Sequence, residues 1–450
     1  MTRYFQQHLP HYKDTLRLGL PIVLGQVGIV AVGFADSIMV GRHATSDLAA
    51  ASFVNSLFNL PVLFGIGFSY GLTPLVGRLF GSGETARAGG VLRDSLVANG
   101  IVGVALSLLM GIVYLHVHEM GQPAGLLPLV RPYFLLQLAS LIFMMGFNAF
   151  KQFSDGIRDT VTPMWIMLGG NALNVLGNLV LIYGHAGIPA LGLTGAGIAT
   201  LSSRVAVLVA FVIVFYRRGR YRPYREAFRA RSPGRSSFRV LGKTGAMIGA
   251  QMGMETALFS LTGVMVGWLG AVELAAHQVV VTLSMLGFMI YYGVGAAVSV
   301  RVSHFLGRGD VRGARRATRA GFHLILTLAL VVALFFLASR EWIGYLFTGT
   351  AEVVARVSTL TIIMAIYQFG DGLQIVYANS LRGISDVTPM ALLSFVGYFL
   401  VALPVAYLAG FTFGGGLVGI WIAYPVGLTG AGLMFRARYL RSLRRLAPGP

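Results

Sequence analysis

The sequence predicts an all-α membrane protein that crosses the bilayer many times. Of its 450 residues, 56% are apolar and only 11% are charged, whereas soluble domains average roughly 25% charged residues. The apolar residues form continuous runs of helical length, unlike the short alternating segments of a transmembrane barrel. These runs extend along the whole chain, which leaves no room for a large soluble catalytic domain and excludes a fused ATPase or kinase.

Twelve apolar runs are long enough to cross a bilayer as helices, at about 20 residues per span. Their approximate boundaries are 16–41, 48–77, 95–117, 127–150, 162–184, 193–216, 244–270, 274–300, 320–339, 351–381, 387–411 and 416–435. Several exceed a perpendicular crossing, so we expect tilt or protrusion beyond the bilayer. The first run is too long for the apolar core of a signal peptide and lacks a small-residue cleavage site, so we expect it to remain as the first helix.

Positive charge is concentrated in alternate loops of this predicted bundle. The net charge is +19, and most lysines and arginines lie at the two ends of the chain, in every second loop and in the polar interval 217–243. By the positive-inside rule, both termini are expected in the cytoplasm. Topology and anionic lipid account for the basic loops, so we expect the lipid bilayer and no nucleic acid as a partner.

The residues that covalent and metal catalysis require are missing or scattered. The chain has no cysteine, which excludes disulfides, thiolate metal sites and thiol nucleophiles. The segment Gly242-Lys243-Thr244 has the ending of a phosphate-binding loop, but Ser237 stands where its leading glycine belongs. No nucleophile has an adjacent base. We therefore expect neither an enzyme nor a bound cofactor.

The two halves of the chain repeat each other. A shift of 226 residues superposes Val40-Gly41 on Val266-Gly267 and Val161–Met164 on Val387–Met390, and small slips bring Gly192-Leu193 onto Gly416-Leu417. We predict an N-lobe at 1–216, a basic linker at 217–243 and a C-lobe at 244–450. Because six helices are an even number, the two six-helix repeats enter the membrane in parallel. Two similar lobes around a shared cavity are typical of alternating-access transporters.

Three acidic residues lie inside predicted helices, where a charge costs about 2.5–3.5 kcal/mol on insertion scales. They are Asp36, Glu255 and Asp371. None has an acidic counterpart in the other half, since Asp36 superposes on Leu261 or Thr262. Lobe packing therefore does not explain them. A buried carboxylate favours neutralisation by a proton or a metal ion, and either would be a coupling ion.

Oxygen-bearing side chains accompany these acids. The fifth predicted helix presents Asn171, Asn174 and Asn178 on one face, and Thr200 and Asn148 could add ligands suited to Na⁺. The alternative for the asparagines is hydrogen bonding between helices.

Two more residues stand out. In the tenth predicted helix, Tyr367 lies one turn before Asp371, so an aromatic face and a carboxylate could address one cation. Arg204, within the sixth predicted helix, could snorkel, pair with an acid or face a cavity.

These residues together resemble the multidrug and toxic compound extrusion (MATE) transporters, in particular their NorM-like bacterial branch. The resemblance covers essentially the whole chain. It rests on Pro21, Gln26 and Gly33–Gly41 in the first predicted helix, Gly77–Gly83 after the second, Gln251–Glu255, Tyr367–Gly372, and Arg382-Gly383 before the turn from Asp386 to Pro389.

The resemblance implies a V-shaped pair of six-helix lobes that exports bulky, amphipathic, usually cationic drugs or dyes in exchange for Na⁺ or H⁺. It also implies the cation-coupling residues, which are Asp36, Asn174 and Asn178 in the N-lobe and Glu255, Asp371 and Tyr367 in the C-lobe. The expected location is the bacterial cytoplasmic (inner) membrane, and the expected state is a monomer.

Three alternatives to a Na⁺-coupled drug antiporter stay open at this point. The oxygen-rich surroundings of Asp36 favour Na⁺, but the same groups suit a proton network, so an H⁺-coupled drug antiporter is an alternative. A flippase for a lipid-linked precursor is a further alternative, and its cavity should be cationic. A membrane scaffold would tolerate neutralisation of Asp36, Glu255 and Asp371.

Overall fold

The protein is helical throughout the part of the chain that the structure describes. The computed structural model describes residues 2–185, 187, 189–229 and 235–446, and no strand occurs in these ranges. The α-helices are α1 (Thr2–His43), α2 (Thr45–Ser69), α3 (Leu72–Gly81), α4 (Thr85–Leu115), α5 (Leu127–Gly156), α6 (Val161–Tyr183), α7 (Gly192–Arg217), α8 (Arg222–Arg229), α9 (Arg235–Gly267), α10 (Ala271–Gly307), α11 (Val311–Ser339), α12 (Ala351–Gly383), α13 (Val387–Phe395), α14 (Leu403–Tyr407) and α15 (Gly416–Leu446).

The described residues contain eleven helical segments that are long and apolar enough to cross a bilayer. They confirm the all-α, multi-pass prediction. The predicted run 244–270 is also helical, as α9, but it is not among the eleven. Gln251 and Glu255 lie inside α9 and lower its hydropathy.

Two predicted spans are interrupted. The second one divides into α2 and α3 at Tyr70 and Gly71, and the segment Gly77–Gly83, expected after this helix, lies largely within α3. A side chain at Gly71 would approach the backbone nitrogen of Gly245 to 2.7 Å, so this close contact requires glycine. The span that begins with α13 contains two wider π-helical turns, Val396–Ala402 and Leu408–Thr412. Pro404 lies between them and cannot donate a backbone hydrogen bond.

The chain forms two compact units. The first unit is Leu24–Gly249, and the second unit consists of Met1–Val23 and Ala250–Pro450. The sequence places the boundaries at 1–216 and 244–450, whereas the structure assigns the N-terminal part of α1 to the second unit and the N-terminal part of α9 to the first. Val23 and Gly249, the last residues before each change of unit, are related by the same 226-residue shift that relates the two halves of the sequence.

A second repeated feature is the tight turn before α6 and α13. Arg158 and Ser385 occupy equivalent positions, each preceded by a Gly-Ile pair, and both adopt positive φ angles, 62° and 61°. An aspartate follows each of them. Asp159 accepts hydrogen bonds from the backbone and hydroxyl of Thr162, whereas Asp386 accepts two hydrogen bonds from Arg438. The turn is shared, but the partners of its aspartate differ.

The predicted linker 217–243 is partly helical and packs on the first unit. Tyr221 and Tyr224, at and near the start of α8, are buried with Phe153 and Phe215. A side chain at Gly89 on α4 would collide with the backbone oxygen of Tyr224 at 2.0 Å. Residues 230–234 of this interval lie outside the described residues. The described part of the linker is therefore a docked segment of the first unit.

The second unit is built around α12, which is buried along most of its length. The ring of Tyr424 on α15 packs against Tyr367 on α12, and Tyr424 and its neighbour Trp421 are fully buried. The N-terminal part of α1 is fastened to this unit by Arg301 on α10, which donates to the His11 backbone oxygen at 2.7 Å and to Thr15 Oγ1 at 2.6 Å. Buried polar contacts thus attach a segment that is remote in sequence.

Candidate cation sites and transport family

Asp36 lies opposite the asparagine face of α6 in the first unit. The side-chain amide of Asn178 donates a hydrogen bond to Asp36 Oδ1, and it lies 3.3 Å from Asn174 Oδ1. Asn174 in turn donates to Thr200 Oγ1 on α7 at 3.3 Å. Residues four apart on a helix share a face, so the spacing of Asn174 and Asn178 produces this continuous polar row from Asp36 to α7.

Two amide atoms in this row have no partner among the described residues. Asn178 is fully buried, and its Oδ1 accepts no hydrogen bond. Asn171 Nδ2 is also buried without a partner. A buried polar atom that lacks a partner is costly. The free oxygen of Asn178 beside the carboxylate of Asp36 is the chemistry that a hard cation or a protonated group requires.

A cavity of about 270 Å³ opens in front of Asp36. Both polar and apolar side chains line it, and all of them belong to the first unit. Asn55, Gln137 and Thr200 contribute polar groups, and Phe58 and Val62 contribute apolar surface. The cavity therefore combines one carboxylate, neutral hydrogen-bonding groups and an apolar wall, as ligand-binding pockets do.

Arg204 lines the same cavity. Its NH1 group donates to Gln137 Oε1 at 3.4 Å and to Ser140 Oγ on α5. Gln137 donates onward to the hydroxyl of Tyr133 at 2.9 Å. No ion pair joins Arg204 to a carboxylate among the described residues. Of the three alternatives left by the sequence, the structure supports the one in which Arg204 faces a cavity.

Glu255 lies at the centre of a glutamine network in the second unit. Its Oε2 accepts from Gln251 Nε2 at 2.9 Å, one turn earlier on α9, and lies 3.4 Å from Gln374 Nε2 on α12. Gln374 also donates to the hydroxyl of Tyr398 at 2.6 Å. Side chains at Gly432 would approach the Gln374 backbone nitrogen to 2.9 Å, so a glycine on α15 permits the close packing that holds Gln374 in place.

Arg382 connects to this network from the end of α12. The predicted apolar run ends at residue 381, which places Arg382 in the following loop, but it lies within α12 and is 5% exposed. Its NH2 group donates to Gln251 Oε1 at 2.5 Å. Gln251 therefore bridges a guanidinium and a carboxylate, which lets the charges of Arg382 and Glu255 interact through one amide.

Asp371 and Tyr367 lie deeper in the second unit. Both are buried on α12, each with 3% exposure. Asp371 is close enough to Glu255 for their charges to interact, and no described residue donates a hydrogen bond to it. The hydroxyl of Tyr291 is within electrostatic range of Asp371 and is itself buried with no hydrogen-bond partner among the described residues. The second unit thus holds two neighbouring carboxylates in an aromatic environment.

The structure brings together most of the residues that the sequence singles out. Asn148 is an exception, since it donates to the Met144 backbone oxygen within its own helix. The described residues contain no cluster of three or more His, Cys, Asp or Glu side chains that could hold a metal ion. Sequence reasoning missed Gln137, Tyr133, Gln374 and Tyr398. The sequence did contain a signal for Gln137 and Gln374, because each is a polar residue within an otherwise apolar helix.

The sequence matches the model of a known protein family. The model of the MatE family matches residues 21–180 and matches again at 248–408. The chain belongs to the MatE family. Each match contains one half of the repeat, and Asp36 lies in the first while Glu255 and Asp371 lie in the second. Members of this family are transporters, so the expectation that the chain is not an enzyme agrees with its family.

Solved structures of MATE transporters have the same fold. A eukaryotic MATE transporter, AtDTX14, is 19% identical with a TM-score of 0.86, and the match covers 98% of this chain and 99% of that one. The Vibrio cholerae MATE transporter VcmN is 17% identical, also at 0.86, with 98% of each chain covered. A MOP superfamily transporter from Pyrococcus furiosus is 19% identical at 0.88, with 98% and 97% covered. The fold is therefore retained along nearly the full length.

Proposed function

We propose that this MatE-family protein is a secondary active multidrug efflux transporter, which exports cationic amphipathic compounds in exchange for Na⁺ or H⁺. The observation that carries the proposal is that each compact unit holds carboxylates among polar side chains within apolar helices. Asp36 occupies this position in the first unit, and Glu255 and Asp371 occupy it in the second. Placing these charges in apolar surroundings is expensive unless a cation accompanies them during part of the cycle.

Exchange follows from competition for these carboxylates. A bound drug or a bound coupling cation can neutralise them, and leaving them empty is unfavourable. Arrival of the coupling cation from outside therefore favours release of the drug, and the neutralised acids permit return to the inward-facing state. The apolar wall formed by Phe58 and Val62 suits varied apolar bodies because it makes few directional demands.

Na⁺ is the coupling ion we favour at Asp36. The buried and unpartnered Oδ1 of Asn178, together with Asp36 and Thr200, supplies oxygen atoms to a hard cation. In the second unit, Glu255 and Asp371 are neighbouring carboxylates that could share a proton or hold a cation between them. H⁺ coupling at Glu255 and Asp371 is therefore the alternative to test.

The topology of the whole chain is part of the same proposal. We propose twelve spans in two parallel six-helix repeats, with α9 as the seventh span and both termini in the cytoplasm. The location would be the bacterial cytoplasmic membrane, the state a monomer, and the branch NorM-like. The lobes would be 1–216 and 244–450, with 217–243 between them.

Dye export from proteoliposomes tests the function. Efflux of rhodamine 6G would be followed by fluorescence with a Na⁺ gradient and a proton gradient imposed separately. We expect Na⁺ alone to drive export by the wild type and Asp371→Asn to lose it. Export under a proton gradient alone would show that the coupling ion is H⁺.

A matched control lies on the same helix as Asp371. Glu352 is an exposed acid at the start of α12, and Glu352→Gln should export at the wild-type rate. Absence of dye movement under both gradients would contradict drug export and favour the lipid flippase. Full export by Asp371→Asn would contradict the role of this carboxylate.

A further inference from the structure

Three arginines converge on one buried tyrosine near the end of α12. Tyr377 is 7% exposed, and its ring centroid lies 6.0 Å from that of Tyr439 on α15. Arg315 and Arg319 on α11 and Arg436 on α15 lie within electrostatic range of the Tyr377 hydroxyl group. Two helices therefore place positive charge around one point on a third.

None of these three arginines forms an ion pair with a carboxylate in the described part of the chain. Arg438 provides the contrast, because it lies two residues after Arg436 and pairs with Asp386 at 2.7 Å. The side chains of the three arginines are exposed, so a ligand can reach them. Like charges around one hydroxyl group repel each other, and an anion between them would remove this repulsion.

The first unit places a carboxylate beside the arginine that is equivalent to Arg319. The 226-residue shift superposes Arg93-Asp94 on Arg319-Ala320. The guanidinium of Arg93 lies 3.9 Å from the carboxylate of Asp94. In the second unit the fully buried methyl group of Ala320 stands in place of that acid.

The position of Tyr377 shows the same difference between the units. The shift superposes Tyr377 on Lys151 and Leu381 on Asp155. Lys151 is buried and pairs with Asp155 at 2.9 Å, whereas Leu381 is apolar and fully buried. The first unit thus supplies its own negative charge at this end of the helices. The second unit supplies none to its three arginines, so their counter-charge must come from outside the described residues.

The surface at Arg315 is exposed where the first unit is covered. The equivalent residue is Gly89 on α4, and a side chain there would collide with the backbone oxygen of Tyr224 on the docked helix α8 at 2.0 Å. Glycine permits that docking, whereas Arg315 is an exposed cation. The second unit therefore presents charge at a position that the first unit uses for packing.

We propose that Arg315, Arg319 and Arg436, together with the hydroxyl group of Tyr377, form a binding site for a phosphate group. The planar fork of a guanidinium fits phosphate oxygens, and several guanidinium groups can share one phosphate. Basic pockets between membrane helices bind the head groups of anionic phospholipids in this way. The phosphate is carried by such a lipid or by a free phosphate ion. The site is separate from the proposed transport activity, since binding here requires no export.

The melting temperature of the full-length protein in detergent tests the site. Phosphatidylglycerol, phosphatidylcholine and inorganic phosphate would each be titrated against the wild type and a variant that combines Arg315→Gln, Arg319→Gln and Arg436→Gln. We expect phosphatidylglycerol to raise the melting temperature of the wild type, because a ligand of the folded state stabilises it. Phosphatidylcholine, which carries its own cation, should not. The triple variant should need at least about tenfold more phosphatidylglycerol for the same rise.

A second triple variant is the matched control. Arg441→Gln, Arg444→Gln and Arg445→Gln remove the same number of exposed charges near the end of α15, and the response to phosphatidylglycerol should stay that of the wild type. An equal loss of response in both triple variants would show attraction by total charge and overturn the site. No rise of the wild-type melting temperature with either phosphatidylglycerol or inorganic phosphate would also overturn it. A rise with inorganic phosphate that needs the three arginines would identify free phosphate as the ligand, and a rise with phosphatidylglycerol alone would identify the lipid head group.

Tyr377→Phe keeps the test decisive if the first triple variant does not fold. It retains the aromatic ring and all the charges and removes only the hydroxyl group. We expect it to raise the concentration of the effective ligand needed for the same response by about threefold, as for loss of one hydrogen bond. An unchanged concentration would exclude the hydroxyl group from the site and overturn the proposed geometry.

Discussion

The two units place their acidic residues in different electrostatic settings. In the first unit, the carboxylate of Asp36 and the guanidinium of Arg204 line one cavity, so the formal charges balance. In the second unit, Glu255 and Asp371 accompany a single guanidinium, that of Arg382, which leaves one excess negative charge. A site with excess negative charge attracts a small cation more strongly. We therefore propose that the second unit contributes more to ion coupling and the first unit more to substrate recognition.

A glutamine holds the buried arginine in both units, but it connects the arginine to different groups. Gln251 accepts from Arg382 and donates to the carboxylate of Glu255. Gln137 accepts from Arg204 and donates to the neutral hydroxyl of Tyr133. The first arrangement couples two charges through an amide, whereas the second leaves Asp36 available to the cavity. The two units therefore hold their arginines in different polar networks.

The largest expected effect is loss of ion-driven export when both carboxylates of the second unit are neutralised. Glu255→Gln with Asp371→Asn should lower the initial rate of rhodamine 6G export under a Na⁺ gradient by at least about 100-fold, since two charged interactions of about 1.5–3 kcal/mol each are lost. The amides keep the shape of the side chains and remove the charge. A rate within a few fold of wild type would refute the assignment of coupling to the second unit.

Neutralising Asp36 should have a smaller effect on the same measurement. We expect Asp36→Asn to reduce rhodamine 6G export by about tenfold, as one charged hydrogen bond to the ligand is lost. Asn178 can still donate to the new amide oxygen, so the local packing survives. A loss equal to that of the double variant would show that the units share coupling equally and would remove the asymmetry.

The sequence predicts the helices well because the free energy of inserting a segment depends on its own composition. The spacing of Asn174 and Asn178 places both on one face of α6, since residues four apart on a helix share a face, and the resemblance to MATE transporters adds Asp36 to them. The sequence prediction fails for Arg382, placed in a loop, because only packing against α9 reveals the partner Gln251 more than 100 residues away. Gln374 was missed for the same reason. Contacts between distant helices decide which polar residues meet.

The sequence also does not show that α1 and α9 are each divided between the two compact units. The repeat in the sequence predicts a boundary between the lobes at the basic linker 217–243. In the structure, the chain passes from one compact unit to the other after Val23 and again after Gly249. Hydropathy contains no information about which neighbours a helix contacts. The bond from Arg301 to the His11 backbone oxygen, which attaches α1 to the second unit, joins residues nearly 300 positions apart. Only the folded chain shows such a contact.

A third prediction compares the two glutamines by stability. Gln251→Leu should lower the free energy of unfolding by about 2 kcal/mol, because Arg382 and Glu255 each lose a buried hydrogen-bond partner. Gln137→Leu should cost about 1 kcal/mol, since its contact with Arg204 is longer, at 3.4 Å. Melting temperatures in detergent would be compared with Gln278→Leu, an exposed position on α10. Equal losses for Gln251 and Gln137 would contradict the charge-bridging role of Gln251.

The smallest expected effect concerns the two equivalent turns, at Asp159 and Asp386. Burial raises the pKa of Asp386, but hydrogen bonds from Arg438 and Ser442 outweigh it and hold the pKa below the ordinary 3.8. A carboxylate with a depressed pKa stabilises the folded state above its unfolded-state pKa, and this contribution disappears as the pH falls through the folded-state value. Asp386→Asn should therefore cost about 1 kcal/mol at pH 7, as expected for a partly exposed ion pair, and the difference from wild type should shrink below about pH 4.

Arg438→Gln provides the matched variant, because it removes the same ion pair from the other side. Its difference from wild type should vanish over the same pH interval, as measured by melting temperature in detergent. Asp159→Asn should instead affect the start of α6, since Asp159 accepts from the backbone and hydroxyl of Thr162, and loss of such a cap costs about 1 kcal/mol. If Asp386→Asn and Arg438→Gln stayed equally destabilised from pH 7 to pH 3, the ion pair would not be the cause.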